Sequence, residues 1–251
     1  MSPLALGLIL LSASLHATRD LFTKRSCDKQ AFSWWYHVVG LVIMLPSLVW
    51  TARSGMLEDG WPYVVASGLV HAVYFYTLAE AYRDGDLSLV YPISRSSPLF
   101  VLLWAGLIWR ESITPLGVLG VLLVAFGGYV LQMRRLSLNH LWAPLRALVR
   151  DRTIRLAWAT ALLVATYSLI DDRGVSLVSP MLYLVVYGAI GLAAYTPVVL
   201  WRHRGHLKDE WRSNWCSILA AGAISPSDIF WPSWRFESRP SATCLRFARS
   251  A

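Results

Sequence analysis

Between Gly85 and Leu131 two long apolar runs stand back to back, parted only by Arg110, Glu111 and Ser112. Each run, 87–109 and 113–133, is close to the roughly 20 residues that a helix needs to cross about 30 Å of hydrocarbon. A water-soluble domain has no use for such a pair, so the stretch reads as a transmembrane hairpin. Composition extends that reading to the whole chain. Of its 251 residues 56% are hydrophobic and 15% charged, against about a quarter charged in a soluble domain. The formal net charge is +8. The lysines and arginines stand between apolar blocks, as membrane loops require. That placement names the lipid bilayer as a partner and argues against nucleic acid.

The remaining blocks give further spans: 3–17, 32–51, 61–82, 156–170 and 179–201. An eighth begins near Trp215 and loses its apolar character at Ser225. The expected fold class is therefore all-α, a polytopic membrane helix bundle. Spans one and six are short, so their polar ends must enter the headgroup region or face protein. Trp34, Trp35 and Trp50 flank span two as interfacial aromatics do. No basic n-region precedes the first run, so it reads as an uncleaved span and not a secretory signal. A basic connector, 134–155, divides the chain; an amphipathic surface segment and a plain loop both fit it.

Soluble enzyme chemistry has no foothold. Cys27, Cys216 and Cys244 are scattered singly, and the six histidines form no HExxH-like pair. No GxGxxG, GxxxxGK[ST] or GxSxG pattern occurs. The expectation is no metal, no cofactor and no enzyme activity.

Sliding the chain by 151 residues brings uncommon residues into register without a gap. Asp20 falls on Asp171, Tyr36 on Tyr187, Gly40 on Gly191, Pro46 on Pro197, Trp50 on Trp201 and Arg53 on Arg204. Spans one and two thus repeat as spans six and seven. Because five helices per unit is an odd number, the second unit enters the bilayer upside down. Such inverted repeats are the plan of secondary transporters, with substrate held at the repeat interface.

Two segments then resemble a known family. His16–Ser26, HATRDLFTKRS, is similar to the HAxWNxxxK pattern of EamA-like members of the drug/metabolite transporter superfamily. Residues 79–131 resemble the end of that domain: a Gly-polar turn, an opening to Pro92, a kinked helix, Glu111, and a last helix carrying Gly120 and Gly127. The resemblance covers nearly all of 1–133 and, more loosely, 155–223. It implies two inverted five-helix units in a bacterial inner membrane, moving a small metabolite or drug-like solute by alternating access. Arg19 and Asp20 depart from the usual Trp and Asn. After Ala223 the polar segment 224–251 resembles nothing in the family, so the second unit reads as incomplete, two and a half helices cut short by a truncated or frameshifted frame. A genuine polar tail is the other reading of 224–251. A non-transporting membrane fragment or accessory subunit is the alternative function.

Candidate site residues follow from charge and kinks inside apolar runs. Arg95 lies within span four, where a charge is costly. It either binds an anionic group of the substrate, pairs with Glu80, or snorkels. His16 and His71 can bind substrate, carry a proton, or serve packing. Tyr36, Tyr74 and Tyr91 are candidate lining residues. Pro46, Pro92, Pro98 and Pro197 mark kinks that a membrane helix tolerates. Gly117, Gly120, Gly127 and Gly128 let another helix approach span five; packing within the bundle is the first reading and a homodimer face the second.

The connectors after spans one, three, five and seven hold fifteen Lys and Arg; those after two, four and six hold three. The positive-inside rule then places the N-terminus outside, whereas the family resemblance implies inside.

Overall fold

A computed structural model of the chain describes residues 3–51, 59–85, 87–107, 115–131 and 151–237, and all regular structure among them is helical. Helices α1 (Pro3–Arg25), α2 (Lys29–Met44), α3 (Ser47–Thr51), α4 (Trp61–Asp84), α5 (Leu87–Ser94), α6 (Ser97–Leu107) and α7 (Pro115–Leu131) belong to the first unit. The second unit contributes α8 (Arg152–Leu177), α9 (Pro180–Arg202) and α10 (Arg204–Glu237). Among the described residues four stretches are long and apolar enough to cross a membrane: Lys29–Val49, Trp61–Asp84, Arg152–Leu177 and Pro180–Arg202.

The helix starts follow from local chemistry. Asp28 caps α2, its carboxylate accepting from the N–H groups of Gln30 at 2.9 Å and Ala31 at 3.0 Å. Asp151 caps α8 through Thr153 N at 2.8 Å. Pro62 and Pro180 stand in the first turns of α4 and α9, where a missing N–H costs nothing.

The structure corrects several span boundaries. Helices α1 and α8 have 23 and 26 residues, well beyond the apolar runs that marked spans one and six. Their polar ends continue the helix because protein surrounds them: Arg19, Asp20 and Thr23 are buried, and Asp171 takes hydroxyl donors from Ser67 and Tyr183. Span four is not one helix. Its backbone turns at Arg95 and Ser96, held by Ser96 N to Ile93 O at 3.1 Å and Leu99 N to Ser96 O at 3.0 Å. Pro98, in the first turn of α6, cannot donate to the preceding turn, which favours the break there. Span two breaks likewise at Leu45 and Pro46, between α2 and α3. Pro197, the repeat partner of Pro46, stays inside a continuous α9. At the other end α10 remains helical to Glu237, past the residue at which the apolar pattern stops, with a non-helical backbone at Asn214 (φ −127°, ψ 17°). The Glu111 turn, most of the basic connector and residues 238–251 lie outside the described residues.

Contacts at the helix ends fix the direction of each unit. Lys24, at the end of α1, donates to Tyr82 O at 2.9 Å and to Gly85 O, at the end of α4. Arg152, at the start of α8, pairs with Glu80 at 2.8 Å, near the same end of α4. So α1 ends where α8 begins, and the two run in opposite directions. Asp28, just before α2, pairs with His203, just after α9, at 2.7 Å; α2 and α9 are also opposed. Gly60, before α4, packs against Val178, before α9. Helix α4 therefore starts at the face opposite to the one where α10 starts. All three helix pairs related by the 151-residue shift are inverted.

Packing follows the same exchange. Helix α4 of the first unit lies along α8 and α9 of the second, while α10 of the second lies along α1 and α2 of the first. Close backbone approach makes this possible, as lipid-embedded helices require. A Cβ on Gly68 would meet Ile190 Cγ2 at 2.7 Å and Tyr187 O at 2.9 Å. One on Gly222 would meet Val39 Cγ1 at 2.5 Å and Tyr36 O at 3.0 Å. Val39 and Tyr36 fall on Ile190 and Tyr187 under the repeat shift, so both units offer the same patch. Helix α7 instead exposes Leu116, Leu119, Leu123 and Phe126, an apolar surface suited to lipid.

Candidate functional site

The first three spans of each unit enclose a cavity of about 500 Å³. Its walls come from α1, α2 and α4 on one side and from α8, α9 and α10 on the other, so it lies at the interface of the inverted units. At about 1.5 Å rise per residue, Arg19 sits six residues, or roughly 9 Å, from the end of α1. Asp171 sits six residues from the end of α8, which is the opposite end of the bundle. The cavity thus has a cationic pole and an acidic pole.

At the cationic pole Asp20 is buried between two guanidinium groups, Arg95 at 2.7 Å and Arg19 at 3.3 Å. Arg95 reaches it from the turn between α5 and α6, so this broken helix is tied to α1 by charge. The Arg95 guanidinium also lies over the Tyr91 ring at 5.3 Å. Glu80, one of the partners open to Arg95 on sequence grounds, is engaged elsewhere: Arg83 and Arg152 hold it at 2.9 and 2.8 Å, and Gln30 Nε2 donates to it at 3.2 Å.

At the acidic pole Asp171 accepts from Ser67 Oγ and, at 2.8 Å, from the Tyr183 hydroxyl. Ser67 also neighbours His71, whose Nδ1 lies 2.9 Å from Ser67 O and 3.2 Å from Ser67 Oγ. The contact with a carbonyl requires a proton on Nδ1. Between the poles the wall is aromatic. His71 stacks on Tyr167 at 4.0 Å and packs on Tyr187 at 4.5 Å. His37 packs on Phe75 at 3.6 Å and Tyr36 at 4.2 Å, its Nδ1 2.7 Å from Ser33 O.

Outside the membrane-spanning segments, a polar cluster ties the basic end of the bundle together. Asp28 pairs with His203, and Glu210 accepts from Asp28 N at 2.7 Å and from Asn214 at 2.6 Å. Partial burial pushes the Asp28 carboxyl up, but the Ala31 N–H, His203 and the Gln30 N–H together outweigh it and hold the group below the usual carboxylate range.

Of the residues singled out in the sequence, His16, Tyr36, His71 and Tyr74 line the cavity. Arg95 and Tyr91 are not among its lining residues. Pro92 and Pro98 flank the turn that places Arg95. Gly120 and Gly127 would carry a Cβ with nothing within 4 Å; Gly117 and Gly128 lie on the same helix. Sequence reasoning missed His37, Tyr167, Asp171, Tyr183 and Tyr187 as lining residues. The repeat shift held the missing signal: it pairs Tyr36 with Tyr187 and His16 with Tyr167. Among the described residues no group of three His, Cys, Asp or Glu could hold a metal ion.

Two oppositely oriented helical units around an aromatic-walled cavity match the inverted-repeat plan of membrane transporters. The EamA-like transporter family matches residues 3–133, more than half of the chain, and the chain belongs to that family. No curated protein and no solved structure matches it.

Proposed function

We propose that the chain is a secondary carrier that moves a small organic solute by alternating access, with the cavity between the inverted units as its binding site. The observation that carries this reading is the position of the cavity: every wall is contributed by helices that the repeat relates. A volume of about 500 Å³ suits a small organic molecule, and the aromatic wall suits one with an apolar or planar body. Arg95 holds the α5–α6 turn against α1 through Asp20, and so has a positioning part. The basic ends of α1, α4 and α9 meet the start of α8 at one face, which we assign to the cytoplasm; the N-terminus is then outside. The bilayer we assign is a bacterial inner membrane, where helical bundles and not closed barrels of strands are the rule.

Gly188 supplies the test. It lines the cavity, and an added Cβ there meets nothing within 4 Å. Vesicles holding the purified chain and a mixture of small metabolites should lose some of them, measured by mass spectrometry, faster than protein-free vesicles. Gly188→Trp should abolish that loss by filling the cavity while leaving the melting temperature in detergent unchanged. Equal loss from wild-type and Gly188→Trp vesicles would sink the proposal.

A further inference from the structure

Asp20 and Asp171 match under the repeat shift, yet their surroundings differ. Asp20 is buried and held by two arginines. Asp171 is half-buried on the cavity wall, and no Lys, Arg or His among the described residues comes within ion-pair distance of it. Both of its hydrogen bonds, from Ser67 and Tyr183, go to Oδ1; Oδ2 accepts none among the described residues.

An ionised carboxylate taken from water without a counter-charge is unstable unless a cation reaches it or a proton neutralises it. Groups facing Asp171 from the neighbouring helices do not supply that cation. Helix α4 presents His71, which is coupled to Asp171 only through Ser67. Helix α9 presents Tyr183 and Tyr187, and α8 itself Tyr167, Asp172 and the exposed Arg173. Across the cavity α2 offers Tyr36 and His37. At the far pole α1 carries His16 and Arg19, with Arg95 of the α5–α6 turn committed to Asp20. The walls on either side of the acidic pole are tyrosine rings, whose faces favour a cation.

We infer that Asp171 is the exchangeable cation site of the cavity, at which a proton and the ammonium group of a small amphipathic amine compete. The exchange balances: a protonated Asp171 carboxyl and a free ammonium ion give an Asp171 carboxylate paired with that ammonium, plus one released proton. The amine's apolar body lies against Tyr167, Tyr187 and His71. Ser67 carries the hydrogen-bond path from the Asp171 carboxyl to the His71 ring. Exchange at this group couples uptake of one cation to release of the other, and this coupling rests on the carrier reading above.

The test uses the full chain in detergent with 2-phenylethylamine as probe and 2-phenylethanol as its neutral counterpart. Intrinsic fluorescence reads binding, and a pH indicator in weak buffer reads proton release, at several pH values from mildly acid to neutral. The expected result is binding of the amine but not the alcohol, with affinity rising by up to about tenfold per pH unit while release approaches about one proton per bound amine. Asp171→Asn should bind the amine at least tenfold more weakly and release no proton; Asp171→Glu should restore the release. A carboxylic-acid infrared band that disappears when the amine is added to the wild-type protein gives the same readout without a variant. Equal binding of amine and alcohol, or proton release that persists in folded Asp171→Asn, overturns the inference. Because these readouts need no net flux, absent transport with intact proton release would count against the carrier reading alone.

Discussion

Buried charge inside this bundle is distributed unequally, and the inequality assigns roles to single residues. Arg95 attracts attention in the sequence as a charge within an apolar run. Its geometry is that of a strut: the guanidinium meets Asp20 at 2.7 Å and ties the α5–α6 turn to α1. Removing one partner of a buried pair leaves the other charge uncompensated. Arg95→Ala should lower stability by on the order of 3 kcal/mol, toward the lower end for such pairs because Arg19 stays beside Asp20. The double variant Asp20→Asn/Arg95→Gln should recover much of that loss, since neither charge then remains buried. Thermal unfolding in detergent measures both. If Arg95→Ala unfolds as the wild type does, the strut has no energetic weight.

Helices in a bilayer gain little from the hydrophobic effect against one another, so close backbone approach decides which pairs form. Gly68 on α4 and Gly222 on α10 sit where a Cβ would press on Ile190 and Val39 and on the backbone oxygens of Tyr187 and Tyr36. Gly68→Ala and Gly222→Ala should each cost about 1–3 kcal/mol through overpacking. Gly120 and Gly127 on α7 stand in open space, and Gly→Ala there should leave the melting temperature unchanged or raise it slightly. A melting series over the four variants reads the contrast directly. A large loss for Gly120→Ala or Gly127→Ala would instead show that another helix covers this face of α7.

At the scale of the whole molecule, the end contacts that oppose α1 to α8 and α2 to α9 make a topological prediction. Cys27, which is exposed, and a cysteine at exposed Asp84 should react with a membrane-impermeant thiol reagent from one side of a vesicle. A cysteine at exposed Ser176, near the end of α8, should react only from the other. The background carries Cys216→Ser and Cys244→Ser, and labelling of Ser176→Cys together with Cys27 from one side would refute the inverted arrangement. The sequence by itself determined that the chain spans a bilayer with helices and that its halves repeat, because run length and a 151-residue register are local, countable properties. It also marked His16, Tyr36, His71 and Tyr74, which do line the cavity. It left the polar ends of α1 and α8 unread, since apolar runs stop where lipid contact stops, whereas a helix continues as long as protein satisfies its side chains. The break at Arg95, the Asp20–Arg95 pair and the uncompensated Asp171 were decided only by the tertiary structure. Each depends on which groups from distant parts of the chain arrive beside a carboxylate, and that distance, not residue type, settles whether its charge is paired.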